Sequence, residues 1–228
     1  MKNDKEKYHH LINNLVRISS VNSIFNYEVG RKALLSLGKG NIREWLEKFL
    51  PNTRFIIEPK IIGFNIGIQY LNGKLIKAID KYSGDITSKI NSEKNIPKTI
   101  PIKNRIEIRG ILYYDKTEYK QNKDKVLKVF KKPPNEKNEL YFCAFHLYHC
   151  NINQYQSLQE LKKLNFEIPE TQFTSFISDI DLYKEYWKEG KLFSSYPTSG
   201  IVLKINSRKL QKSLGENNVS RNWAYAIN

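Results

Sequence analysis

The chain has 228 residues, 40% of them apolar and 12% aromatic, enough to bury a core as one large or two small domains and too hydrophobic for a disordered polymer. Its 38 lysines and arginines against 23 aspartates and glutamates give a formal charge of +15, which points to a polyanionic partner such as nucleic acid, with an anionic membrane surface as the weaker alternative. Lysine outnumbers arginine, however, and a composition rich in Lys, Asn and Ile also arises from a low-GC genome. With two cysteines, no signal-peptide core and no run of 18 apolar residues, the sequence predicts a soluble, cytoplasmic protein in a reducing compartment.

Residues 1–18 read as an amphipathic helix, with Leu11, Leu15 and Ile18 at helical spacing, and form an expected N-terminal extension to a main domain over 19–228. Residues 28–38 also predict a helix, closed by Gly38 and Gly40, and Ile42–Leu50 another before Pro51. Phe55-Ile56-Ile57 then starts a strand that carries Glu58 and Lys60 to one face, because strand side chains alternate, and leaves Lys60 at its end. Phe64–Tyr70, Asn72-Gly73 and Lys74–Ile79 predict a hairpin, since a type I′ turn requires φ > 0 at both central residues. A lysine on such a frame, followed by Gly63, can bring its amine to a backbone that a phosphate also approaches. The simpler reading is a solvated lysine at a strand end.

Ser83-Gly84-Asp85 breaks the pattern, Ser92–Pro101 is a polar loop, and Arg105–Tyr114 predicts a strand with Glu107 and Arg109 on one face and Ile106 and Ile108 on the other. Asp80 and Asp85 read as turn residues rather than metal ligands. The lysine-rich stretch Asp115–Asn138 predicts a short helix around Val126, Val129 and Phe130, either a solvated face or a grip on phosphates. Leu140–Tyr148 predicts a strand, Ser157–Leu164 and Asp179–Glu189 helices, Gly200–Ile205 a strand, Ser207–Gly215 a helix and Trp223–Ile227 a final strand. Cys143, His146, His149 and Cys150 invite a zinc reading, but C-x2-H-x2-H-C matches neither finger nor ribbon spacing, and strict alternation puts Cys143 and His146 on opposite faces. No metal site is expected.

Glu58, Lys60, Glu107, Arg109 and Lys204 all lie on strands otherwise built for burial. Charged groups are seldom buried without partners, so a shared polar cleft is the economical arrangement, and two lysines, an arginine and carboxylates suit a nucleotide.

The ordered series EPKxxG (58–63), NGxL (72–75), IExRG (106–110), GxVxKIN (200–206), LQxxLG (210–215) and WAxA (223–226) resembles the adenylation (nucleotidyltransferase) domain of bacterial NAD-dependent DNA ligases, over roughly residues 16–228. The resemblance implies an α+β nucleotidyltransferase (ATP-grasp-like) fold, with antiparallel sheets flanked by helices around a central nucleotide cleft. It implies that Lys60 takes AMP as a phosphoramidate, that Glu58 reads adenine, that Glu107 hydrogen-bonds the ribose and that Phe145 stacks on the base. Lys81 falls where the family has an arginine near the phosphate, and Lys204 on the lysine that neutralises the α-phosphate and, as a neighbouring cation, lowers the pKa of Lys60. NAD or AMP is the implied cofactor, with ATP and magnesium as further candidates. Nicked duplex DNA is the implied partner, beside a second chain supplying other ligase domains.

Several family residues are replaced. Ile62 and Ser199 stand where the family has aspartates, Asn228 where it has the second lysine of W-A-x-A-x-K, and the family's Asn-Pro-Arg-Asn-Ala-Ala-Ala-Gly segment has no counterpart between Gly110 and Leu140. Nor does the chain carry counterparts of the small N-terminal domain that binds the nicotinamide half of NAD, or of the OB-fold, zinc-finger, helix-hairpin-helix and BRCT domains. Three readings follow: a divergent ligase-type nucleotidyltransferase, a degenerate ligase domain that binds nucleotide or DNA without sealing, and an unrelated lysine-rich RNA-binding β-protein.

Overall fold

The computed structural model describes residues 36–38, 40–80, 84–93, 95–114, 124, 126, 128, 140–148, 150–216 and 220–228. The expected helix over 1–18, the boundary at residue 19, Lys81, His149 and most of the lysine-rich stretch lie outside them.

In chain order the elements are β1 (Ser36–Gly38), α1 (Ile42–Leu46), β2 (Phe55–Ile61), β3 (Phe64–Leu71), β4 (Lys74–Asp80), α2 (Thr87–Ser92), β5 (Ile106–Tyr113), β6 (Tyr141–Leu147), α3 (Gln154–Lys163), β7 (Gln172–Thr174), α4 (Ile177–Lys188), β8 (Thr198–Ile205), α5 (Arg208–Leu214) and β9 (Ser220–Ile227). They form a five-stranded sheet in the order β1-β9-β8-β2-β7 and a four-stranded sheet in the order β4-β3-β5-β6. All pairs are antiparallel except β1 with β9.

The hairpin forms as its turn dictates, with Asn72 at φ 49° and Gly73 at φ 76°. Helices differ from expectation in several places, and α2 (Thr87–Ser92) forms where none was expected. Ser36–Gly38, inside the expected helix 28–38, is a strand, because β9 offers it a parallel edge; Gly38 is packed so closely that a Cβ would lie 3.2 Å from the Ala224 carbonyl oxygen. Helix α1 stops at Leu46, and α3 begins three residues earlier than expected, since Asn153 and Gln156 close a capping box ahead of it.

Gly63 has a different use from the one expected of it. It lies where the chain leaves one sheet for the other, and a Cβ there would fall 2.1 Å from the Leu112 carbonyl oxygen. The close approach is to β5 of the same chain.

Two apolar cores flank the sheets. Ile66, Ile68, Ile106, Ile108, Leu112 and Phe142 on one face of the four-stranded sheet pack with Ile90 of α2 and Leu158 and Leu161 of α3. Phe55, Ile57, Ile201, Leu203 and Ile205 on one face of the five-stranded sheet pack with Leu46 of α1 and Ile180 of α4, and Trp45 ties α1 to β9 through a hydrogen bond to the Asn222 carbonyl. The remaining faces carry the charged residues and meet across β6. No helix among the described residues is long and apolar enough to cross a membrane.

Candidate nucleotide site

Register explains how the charged residues come together. On the five-stranded sheet Ile56 pairs with Lys204 and Glu58 with Val202, and cross-strand partners project from the same face. Glu58, Lys60 and Lys204 therefore share that face. Lys204 sits opposite Ile56, four residues before Lys60, which is roughly 13 Å along the strand. Glu58 lies between the two amines.

Two β-bulges shape the site. Pro59 pairs with Ile201 but Ile61 with Thr198, so Ser199 and Gly200 of β8 face the single residue Lys60. On the other sheet Arg109 pairs with His146 but Gly110 with Ala144, which leaves Phe145 unpaired on a bulge of β6. That bulge also reverses the alternation beyond it. Cys143 pairs with Ile111 and His146 with Arg109, so the two lie on the same face, not on opposite ones as strict alternation predicts. Both cysteines are buried free thiols, and no group of three metal-ligating side chains occurs among the described residues.

Lys204 and Glu58 are 3% and 2% exposed, and Lys204 Nζ donates to Glu58 Oε2 at 2.6 Å. Burial pushes the Glu58 carboxyl up from its ordinary value and the Lys204 ammonium down, and the charge of each opposes the shift of the other. The Lys204 charge is thus met by Glu58. Lys204 also donates to the Phe145 carbonyl at 3.4 Å and lies 4.7 Å from the centre of the half-buried Phe145 ring. Lys60, half-buried, donates to the side-chain oxygen of Asn228.

Glu107 joins the same assembly from the four-stranded sheet. Arg109 Nε donates to Glu107 Oε1 at 2.7 Å in a fully buried pair, and the Arg109 guanidinium lies 3.4 Å from the centre of the Tyr148 ring. Tyr148 donates to Glu216 at 3.0 Å; Arg221 is 3.5 Å from the same carboxylate and 5.8 Å from the Phe145 ring centre. Contacts thus run unbroken from Glu107 through Arg109, Tyr148, Glu216 and Arg221 to Phe145, Lys204 and Glu58. Burial, and then the charge of Arg109, pulls Arg221 down to about 10.

Sequence reasoning located Glu58, Lys60, Glu107, Phe145 and Lys204, and the structure brings all but Lys60 into that run of contacts; Lys60 stands on the same face two residues beyond Glu58. It missed Tyr148, Gln154, Arg208 and Arg221. Of these, Arg221 stood beside a motif the sequence showed, two residues before Trp223 of WAxA.

An acceptor-only carboxylate, a half-buried aromatic ring, buried cations and a strand-end amine together suit a purine nucleotide. A sequence profile described as the NAD-dependent DNA ligase adenylation domain matches residues 30–228. The chain belongs to this family. The DNA ligase of Mesoplasma florum is 30% identical over 201 residues, covering 77% of this chain and 30% of that protein, and the DNA ligase of Endomicrobium trichonymphae is 30% identical over 216 residues, covering 81% and 32%. The adenylation-domain chain thus spans about a third of the length of the curated relatives it matches. Among solved structures, one from a structure-function analysis of Lig E DNA ligases superposes with a TM-score of 0.51 at 14% identity, over 76% of this chain and 62% of that one. The shared fold is the ligase nucleotidyltransferase fold, as expected from the motif order.

Proposed function

We propose that this adenylation domain, extending over 19–228, uses NAD to form a lysyl-AMP at Lys60 and acts on nicked or broken DNA, with a partner chain supplying further ligase domains. The carrying observation is that the Glu58–Lys204 pair and the Phe145 ring meet on the face and strand from which Lys60 projects, two residues on. In this reading Glu58 accepts from the adenine amino group, Phe145 stacks on the base, Glu107 accepts from the ribose, and Lys81 and Lys204 hold phosphate charge. Lys60 supplies the electron pair to the α-phosphorus. The P–N bond forms as the bond to the leaving phosphate breaks, and the amine proton passes to solvent or a nearby base. NAD, with ATP as the competing donor, supplies the adenylate; the side chains above would hold its AMP half.

A second reading, binding without chemistry, is favoured by Ile62, Ser199 and Asn228, which remove two carboxylates and an amine from family positions. The loss of one preorganised charge typically costs about 10²–10³ in rate. Intact-mass measurement after incubation with NAD or ATP and magnesium separates the two. The first reading predicts a gain of one AMP that Lys60→Ala abolishes. No gain with either donor, together with salt-sensitive binding to nicked duplex, favours the second; the family match already sets aside the reading as an unrelated RNA-binding β-protein.

A further inference from the structure

Behind the Glu58–Lys204 pair runs a chain of hydrogen bonds that no motif of the sequence announced. Gln154, 1% exposed at the first turn of α3, donates through Nε2 to the Phe145 carbonyl at 2.8 Å and to Glu58 Oε1 at 3.4 Å. Its nitrogen is thereby committed to donating, so its Oε1 must accept, and the group 2.9 Å away is His146 Nδ1. His146 Nδ1 therefore carries the proton. On the other side of the ring, Arg208 Nη1 lies 3.2 Å from His146 Nε2, and a guanidinium only donates, so Nε2 accepts. Each link points the same way: Arg208 to His146, His146 to Gln154, Gln154 to Glu58 and the carbonyl of the bulged Phe145.

Arg208 is itself anchored, through Nε to the Cys150 carbonyl at 3.1 Å and through Nη1 to Gln211 Oε1 at 2.9 Å. His146 stays neutral: burial and then the charges of Arg208, Arg221 and Arg109 hold it well below its ordinary value. The relay ends on the two groups that would meet a nucleobase. Glu58 receives donors on both oxygens, from Lys204 and Gln154, and has only acceptor capacity left; the Phe145 carbonyl is held by the same carboxamide.

We propose that Gln154, oriented by the neutral His146 and Arg208, is a positioning residue that aims the Glu58 carboxylate across the Phe145 ring and so selects a 6-aminopurine over a 6-oxopurine. The inference rests on the nucleotide reading above and deepens it. A carboxylate accepts from an exocyclic amino group but meets a 6-oxo oxygen acceptor to acceptor, and a site built around one hydrogen bond rejects the analogue that cannot make it. With Gln154 replaced by an apolar side chain, Glu58 keeps Lys204 but loses the donor that fixes its plane, and the bulge loses its tie to α3.

The test uses the full chain, with AMP and IMP as probes in calorimetric titrations and ¹⁵N detection of the His146 ring. The expected result is that the wild-type protein binds AMP at least about tenfold more tightly than IMP, and that Gln154→Leu narrows the ratio to within about threefold. Gln154→Glu keeps an acceptor for His146 and places a second carboxylate beside Glu58, so it lowers AMP affinity further. If Gln154→Leu does not fold, His146→Leu, which removes both the donor to Gln154 and the acceptor for Arg208, must narrow the ratio in its place. The ring spectrum must show a proton on Nδ1 and a bare Nε2, a readout independent of any nucleotide. A folded Gln154→Leu protein with an unchanged ratio, or a proton on His146 Nε2, overturns the inference and leaves the adenylate site standing. A wild-type protein that binds neither probe overturns both.

Discussion

Lys204 Nζ lies 2.6 Å from Glu58 Oε2 in a nearly solvent-free seam between two sheets, on strands brought side by side from positions 146 residues apart. Removing one partner from such a pair strands the other charge, which typically costs about 3–5 kcal/mol. Glu58→Gln and Lys204→Met should each destabilise by that order in urea titrations. The double variant should recover most of the loss, because no uncompensated charge remains. Additive single losses would show that the two groups are not coupled.

Phe145 stands on a bulge with its ring half-exposed, so its packing contributes less to stability than that of a core aromatic. Phe145→Ala should weaken AMP binding by about 1–3 kcal/mol, the usual worth of a base stacked on an aromatic ring, while lowering thermal stability little. Phe145→Tyr should bind AMP as well as the wild type does. Titration calorimetry and a melting curve on the same samples check both statements.

His146 gives the fold a pH dependence of definite sign. Its ordinary value is 6.5 and its folded value lies well below, with Arg208, Arg221, Arg109, Tyr148 and Gln154 around the ring. Below pH 6.5 the unfolded chain takes up a proton that the folded chain refuses, so the contribution is full above 6.5 and is lost as pH falls, by up to about 1.4 kcal/mol per pH unit. Glu58, raised by burial, acts in the opposite sense, since the folded chain takes up its proton before the unfolded chain does as pH falls toward 4.5. This carboxyl is present in wild type and variant alike. His146→Gln should therefore flatten the difference in urea midpoint between pH 7 and pH 5. Parallel curves for the two proteins would remove His146 from the account.

Gly63 is a test of the fold rather than of the chemistry. Since a Cβ there would meet the Leu112 carbonyl oxygen at 2.1 Å, Gly63→Ala should destabilise by about 2 kcal/mol or more. Gly190→Ala meets no atom within 4 Å, and its cost should be only that of its φ of +70°. Equal midpoints for Gly63→Ala and wild type would contradict the close passage between the sheets.

Much of this was legible in the sequence because local rules and tertiary demand agreed. Asn72-Gly73 specified its own turn, Gly190 ended α4, and the alternation around Glu107 and Arg109 survived into β5. The charged strand residues were conspicuous for the same reason, each standing among apolar neighbours. What escaped depends on partners distant in the chain. β1 exists because β9 has an edge to fill, and the bulge at Phe145 shows only in its pairing with β5. Gln154 lay in a polar stretch with nothing to mark it, and its importance comes from His146 and Glu58, which lie 8 and 96 residues away.

The central claim is that the amine of Lys60 and the Glu58, Phe145 and Lys204 groups serve one adenylate. The most direct measurement is peptide mass mapping after reaction with NAD and, separately, with ATP, each with magnesium. The account predicts a single AMP on the peptide containing Lys60, formed with NAD and absent in Lys60→Arg. AMP attached to another lysine, or none with either donor from a correctly folded protein, would contradict it.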